Sequence, residues 1–168
     1  MDKTNESFDM LMYRTVFRRM LATGSPRIIQ NDSTSHALIL IEELLKCASR
    51  TVYVYCMKLD EKVWGSPSVL SALNEALARG VQFYVMTRED VAEDNLAYKA
   101  LQLKGRSVLK AKFPSAAENF VVVDERAFRL EVDTGDRKGF ACANSPVNAT
   151  TLIEIFKKME GDAKGDSK

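Results

Sequence analysis

Two segments, TVYVYCM at residues 51–57 and VQFYVMT at residues 81–87, constrain this chain more than any other feature. Both are rich in β-branched and aromatic residues on successive positions, so each strand needs cover on both faces. Between them Ser66 and Pro67 open a helical stretch that runs through LSALNEALAR to Gly80. Serine suits an N-cap, proline the first helical position and glycine the stop. Strand, helix, strand in that order is the unit of a sheet layered with helices.

The flanking sequence extends the alternation. In FDMLMYRTVFRRMLAT the apolar residues Phe8, Leu11, Met12, Val16, Phe17, Met20 and Leu21 predict an amphipathic helix, stopped by Gly24. Four of the seven methionines fall in the first 20 residues, and such adaptable side chains suit packing on the chain's own core or on a second subunit. Arg14, Arg18 and Arg19 are expected on its solvated face. A short strand at 27–30 and a helix at 35–48 follow. Asp90 and Glu93 have the spacing of a capping box for a helix ending at Gly105. Strands are expected at 106–113, 119–124 and 127–133, with DTGDRK turning the last into GFACAN. Ser145 and Pro146 open a final helix to about residue 159.

The expected fold is therefore α/β: a mixed, mostly parallel sheet with helices on both faces, plus the N-terminal amphipathic helix. The expected organisation is a helix and linker at 1–33, an α/β domain at 34–160, and a disordered tail at 161–168, where GDAKGDSK has no apolar anchor.

Composition excludes several function classes. With 24 Lys plus Arg against 23 Asp plus Glu, whole-domain basicity is no argument for nucleic acid, and any such binding needs a local patch. Cys47, Cys56 and Cys142 match neither a zinc pattern nor an even disulfide framework and read as reduced core residues. No secretory or membrane-spanning segment is evident, which places the expected location in the cytoplasm. The glycines are scattered, so no phosphate loop of nucleotide-binding type and no cofactor is expected, and no metal either. The single histidine, His36, lies far in sequence from the segments below and reads as a capping-region residue. Asp60, Glu61, Glu89, Asp90 and Asp94 read as loop and cap residues.

AENFVVVD at 117–124 and ACAN at 141–144, followed by the amphipathic LIEIFKKM, carry the chemistry-bearing pattern. Together with ALARGVQFYVMT they resemble one half of a phospholipase D-like domain over residues 34–159. That superfamily carries H-x-K-x-x-x-x-D on one strand and G-S-x-N on a later one. The resemblance puts Ala117 at the His position, Asn119 at the Lys position and Asp124 at the Asp position. In the second element the Gly and Ser positions become Ala141 and Cys142, while Asn144 is kept.

In active members two such motifs meet, one His attacking phosphorus and the other protonating the leaving group, while Lys holds the phosphate oxygens. Ala117 can do neither job, and Asn119 brings no positive charge. The resemblance thus implies a pseudoenzyme with no catalytic residues, acting as a binding, accessory or regulatory module. Half of a two-repeat fold implies a homodimer or a protein partner. Nucleic acid is a candidate ligand through Arg106, Lys110 and Lys112, which a period of two puts on one strand face; the plainer reading is an edge strand whose lysines discourage pairing. The alternatives are a phosphodiesterase or other hydrolase with substituted groups such as Glu118, Asp124 or Cys142, and an unrelated α/β protein-interaction domain. For Asp124 and Asn144 the plainer readings are a turn residue and a residue approaching the last helix.

Overall fold

The computed structural model describes residues 6–112, 118–133 and 135–165. In chain order the elements are α1 (Phe8–Thr23), β1 (Ile28–Asn31), α2 (Thr34–Cys47), β2 (Thr51–Cys56), α3 (Pro67–Ala78), β3 (Gln82–Thr87) and α4 (Leu96–Leu103). They continue as β4 (Val108–Lys110), β5 (Phe120–Val123), β6 (Ala127–Asp133), β7 (Lys138–Cys142) and α5 (Pro146–Lys164). One seven-stranded sheet has the order β1-β7-β6-β5-β2-β3-β4.

Alternation along β2 builds the layers. Val52, Val54 and Cys56 belong to a core shared with residues of α1 to α4. Tyr53 and Tyr55 point the other way, into a second core with Phe120, Phe128, Phe156 and Met86 under α5. Tyr53 stacks on Tyr84 at 4.6 Å and meets Phe156 edge-on at 5.3 Å, the geometries that aromatic quadrupoles favour. Helices therefore cover both faces, four on one and α5 on the other.

The sheet is mostly antiparallel, contrary to the mostly parallel arrangement expected. Among the described residues only β2–β3 and β3–β4 run parallel. β5 lies on the far side of β2 and enters antiparallel to it. β6 and β7 follow by short connections, which can only produce antiparallel neighbours. β1 then closes this side against β7.

Three element boundaries also differ. Asn95, not Asp90, caps α4: its Oδ1 accepts from the Tyr98 N–H at 2.9 Å while its Nδ2 donates to the Leu59 carbonyl at 2.6 Å. That second bond ties the cap to the loop after β2, so the helix starts late. β4 has three residues, and Arg106 precedes it. The last helix continues through Gly161 to Lys164, so residues 161–164 are helical rather than a disordered tail. Ser66 and Ser145 precede Pro67 and Pro146 as expected, but neither makes a side-chain cap bond.

The N-terminal helix is part of the same core. Phe17 and Leu21 are buried against α2, and Gly24 closes α1 in the left-handed region at φ 64° with its N–H on the Met20 carbonyl. Arg14, expected in solvent, reaches Glu42 at 2.7 Å and Glu43 at 2.9 Å. Arg18 adds a bond to Glu43 at 2.8 Å. Burial opposes the charge on Glu43, yet Arg18 and Arg14 hold its carboxyl below the ordinary range. Removing one partner from such a network strands the other charges. Arg14→Ala should therefore cost about 3–5 kcal/mol in urea-unfolding free energy, whereas Arg19→Ala, on an exposed position, should cost within about 0.5 kcal/mol.

Candidate functional site

The residues of the phospholipase D-like pattern divide between the two ends of β5. Asp124 follows the strand's C-terminal end and Asn119 precedes its N-terminal end, so the strand itself separates them. Ala117 lies outside the described residues.

At the first end, Asp124 and Glu125 take φ values of 51° and 58°. They turn β5 into β6, with the Arg126 N–H on the Val123 carbonyl at 3.1 Å. The Asp124 carboxylate reaches across to the chain entering β2. Its Oδ2 accepts from the Ser49 N–H at 2.9 Å and the Ser49 hydroxyl at 3.0 Å. Its Oδ1 accepts from the N–H groups of Arg50 at 2.7 Å and Thr51 at 3.0 Å. Burial alone would raise the carboxyl pKa, but the three backbone donors and the serine hydroxyl bring it below the ordinary range. Four donors from residues 49–51 thus engage both oxygens of this carboxylate. Asn144 lies at the same end, where its Nδ2 donates to the Gly24 carbonyl at 3.2 Å and ties α1's terminus to the sheet. Cys142 is fully buried in β7, its thiol donating to the Pro26 carbonyl at 3.4 Å, which gives it no access to a substrate. Asn144 and Cys142 therefore do not join Asn119 in one site.

The second end is the cleft. Here the C-terminal ends of β2, β3 and β6 meet the start of β5 beneath the N-terminal half of α2. Asn119 Nδ2 donates to Glu131 Oε1 at 3.0 Å, and its Oδ1 accepts from Arg88 Nη2 at 2.7 Å. Glu131 accepts from Arg129 at 2.8 Å, and Arg129 also donates from Nε to Asn31 Oδ1 at 2.8 Å. Arg129 and Glu131 are 3% and 2% exposed. They share a face because they are two apart on β6, whose alternate residues Phe128 and Leu130 face α5 instead. Burial pulls the Arg129 pKa down, and Glu131 pulls it back up.

Around this chain of bonds a cavity of about 30 Å³ remains, lined by Ile41, Tyr55, Trp64, Asn119, Arg129 and Glu131 among others. That is room for water and not for a nucleotide. Arg137 pairs with Asp60 at its mouth. None of Arg88, Arg129, Glu131 and Asn31 was legible as a site residue, because their partners are as much as 98 residues apart. A buried position on β6 holding Arg-x-Glu was the one available signal.

The three basic candidates do not form one strand face. Arg106, in the turn after α4, donates to Gln82 at 2.6 Å. Lys110 ends the sheet's edge strand and pairs with Asp90 at 2.8 Å, both side chains largely exposed. Lys112 is exposed beyond it. His36 stands in the first turn of α2, its Nδ1 accepting from the Asp32 N–H at 3.3 Å and its ring stacked on Tyr13 at 4.0 Å. Glu61 accepts from the Leu96 N–H at 3.2 Å and so helps cap α4. Among the described residues the side chains of Glu118, Glu89 and Asp94 meet no partner that would assemble an acid–base pair. Among the described residues no His, Cys, Asp and Glu side chains cluster to hold a metal, and no helix is long and apolar enough to cross a membrane.

No protein-family model matches the sequence, and no curated protein matches it. Solved structures do. The chain is similar to Nuc, a phospholipase D family member from Salmonella typhimurium, with a TM-score of 0.54 and 14% identity over 80% of this chain and 93% of that one. It is also similar to TrmBL2, an archaeal chromatin protein described for a novel mode of DNA binding, with a TM-score of 0.61 and 10% identity. That match covers 93% of this chain and 60% of TrmBL2. At these identities the likeness is one of fold, and the fold is phospholipase D-like.

The Asp124 clasp makes a prediction with a definite sign. A carboxyl whose folded pKa is depressed stabilises the fold above its unfolded pKa of about 3.9 and loses that contribution as pH falls through the folded value. Asp124→Asn should therefore destabilise by about 2–4 kcal/mol near neutral pH. In urea denaturation at successive pH values, the gap between wild type and variant should narrow below about pH 4.

Proposed function

We propose that this chain is a phospholipase D-like domain that has given up the family's chemistry and works as a binding module, with nucleic acid as its ligand. The observation carrying this reading is the state of Asn119. At the position where the resemblance puts the phosphate-holding lysine, the amide is engaged on both sides, by Glu131 and Arg88. A phosphodiester brought to it would have to break these bonds, and the nearby guanidiniums of Arg88 and Arg129 are already held by Asn119 and Glu131. The small volume left around Arg129 and Glu131 supports the same reading. The clasped Asp124 and the buried Cys142 offer no replacement nucleophile or acid.

Binding then belongs to the surface. TrmBL2 is known for a novel mode of DNA binding, and its likeness to this chain makes nucleic acid the first ligand to try. Arg106, Lys110 and Lys112 flank the sheet edge at β4. The Lys110–Asp90 pair is exposed on both sides, so solvent screens it and a phosphate can compete for the lysine.

Fluorescence anisotropy with single- and double-stranded oligonucleotides tests this. The logarithm of affinity should fall linearly with the logarithm of salt concentration. Reversing Arg106, Lys110 and Lys112 to Glu should weaken binding at low salt and flatten that slope by about 2–3. Affinity that ignores salt, or a slope unchanged by the three reversals, would count against this surface.

A further inference from the structure

Helix α1 has two apolar faces, and the fold uses only one. Phe17 and Leu21 are buried on α2, while Phe8 (73%), Leu11 (48%), Met12 (46%) and Val16 (47%) lie exposed on the other side. At 3.6 residues per turn Phe8, Leu11, Met12, Thr15, Val16 and Arg19 share one stripe, pointing away from Phe17. A contiguous stripe of this kind on a helix marks an interaction surface. Its charges are divided by end: Asp9 borders it in the first turn and Arg19 lies on it in the second half, whereas Arg18 is bonded to Glu43. Neither Asp9 nor Arg19 has a side-chain hydrogen bond or ion pair with another described residue.

We infer that this stripe is a self-association surface, and that its occupant is α1 of a second copy of the chain, packed antiparallel about a two-fold axis. Only the antiparallel arrangement sets the acidic end of one helix against the basic end of the other. It also opposes the two helix dipoles favourably. A two-fold axis level with residues 13 and 14 faces Phe8 with the partner copy's Arg19, Leu11 with its Val16, and Met12 with its Thr15. It leaves Asp9 within reach of the partner copy's Arg19. The interface is isologous, each contact occurring twice. Arginine over the phenylalanine ring would add a cation–π contact at both ends.

A 16-residue helix is about 24 Å long. A single helix pair of that length falls near or below the roughly 1,200 Å² of a stable standard interface, the size class of weak, concentration-dependent association. The surface lies on the helical layer, away from the bonds around Asn119. It can therefore form whether or not the domain binds nucleic acid.

Sedimentation equilibrium across micromolar concentrations tests the proposal. The wild type should pass from monomer to dimer. Met12→Glu should raise the dissociation constant about tenfold or more, as expected when a central apolar contact is replaced by a charge. Asp9→Arg and Arg19→Asp should each weaken the dimer, and the double variant should restore it towards wild type, a recovery that a merely structural role would not give. The positions are exposed, and far-UV circular dichroism should show every variant folded. A wild type that stays monomeric would overturn the proposal. So would a dimer indifferent to Met12→Glu, or a double variant no better than its parents.

Discussion

The Asp124 carboxylate fixes the centre of the sheet. It bonds three successive backbone N–H groups as β2 begins, and the Asp124 backbone N–H donates to the Thr51 carbonyl at 2.9 Å. The start of β2 and the end of β5 are thereby held in one register. Once β5 is bound antiparallel to β2, the hairpins of β6 and β7 and the edge strand β1 have nowhere else to add. The parallel strands β3 and β4 occupy the other side. A residue that the resemblance marks as part of a catalytic motif is, in this chain, the joint between the parallel and antiparallel halves of the fold.

That joint also determines what the opposite end of β5 can hold. The register that seats Asp124 at Ser49 brings Asn119 beside Glu131, whose N–H donates to the Asn119 carbonyl at 2.9 Å. Arg129, two residues before Glu131, then faces inward beneath α2, where an unpaired guanidinium would be severely destabilising. Pairing with Glu131 and Asn31 resolves this. A buried pair of this kind is weak evidence for stability and better understood as fixing one arrangement among several. Here the arrangement it fixes is a cleft occupied by the protein's own side chains.

Local structure was largely legible in the sequence, because it depends on neighbours. The helix at Phe8–Thr23, the strands around Tyr53 and Tyr84, and the proline at the start of α3 all follow from periodicity and capping. What was not legible depends on contacts between distant residues. Nothing in FVVVD says that its neighbour is β2 rather than β4, which is why a mostly parallel sheet was the natural expectation. Asp90 and Glu93 had suitable cap spacing, yet Asn95 won through its bond to Leu59, 36 residues away. Arg14 looked solvated until α2 brought Glu42 and Glu43 to it. The substituted positions could be read from residue types alone, but the bonds that occupy Asn119 could not, since Arg88 and Glu131 have no motif.

Turnover decides most directly between a binding module and an enzyme with substituted groups. The assay is hydrolysis of bis(p-nitrophenyl) phosphate and of a single-stranded oligonucleotide, with and without chelator, by wild type and by Asn119→Ala and Glu131→Gln variants shown to be folded. A binding module predicts product formation no faster than buffer for all three proteins. Chelator-resistant hydrolysis by the wild type that either substitution abolishes would contradict it.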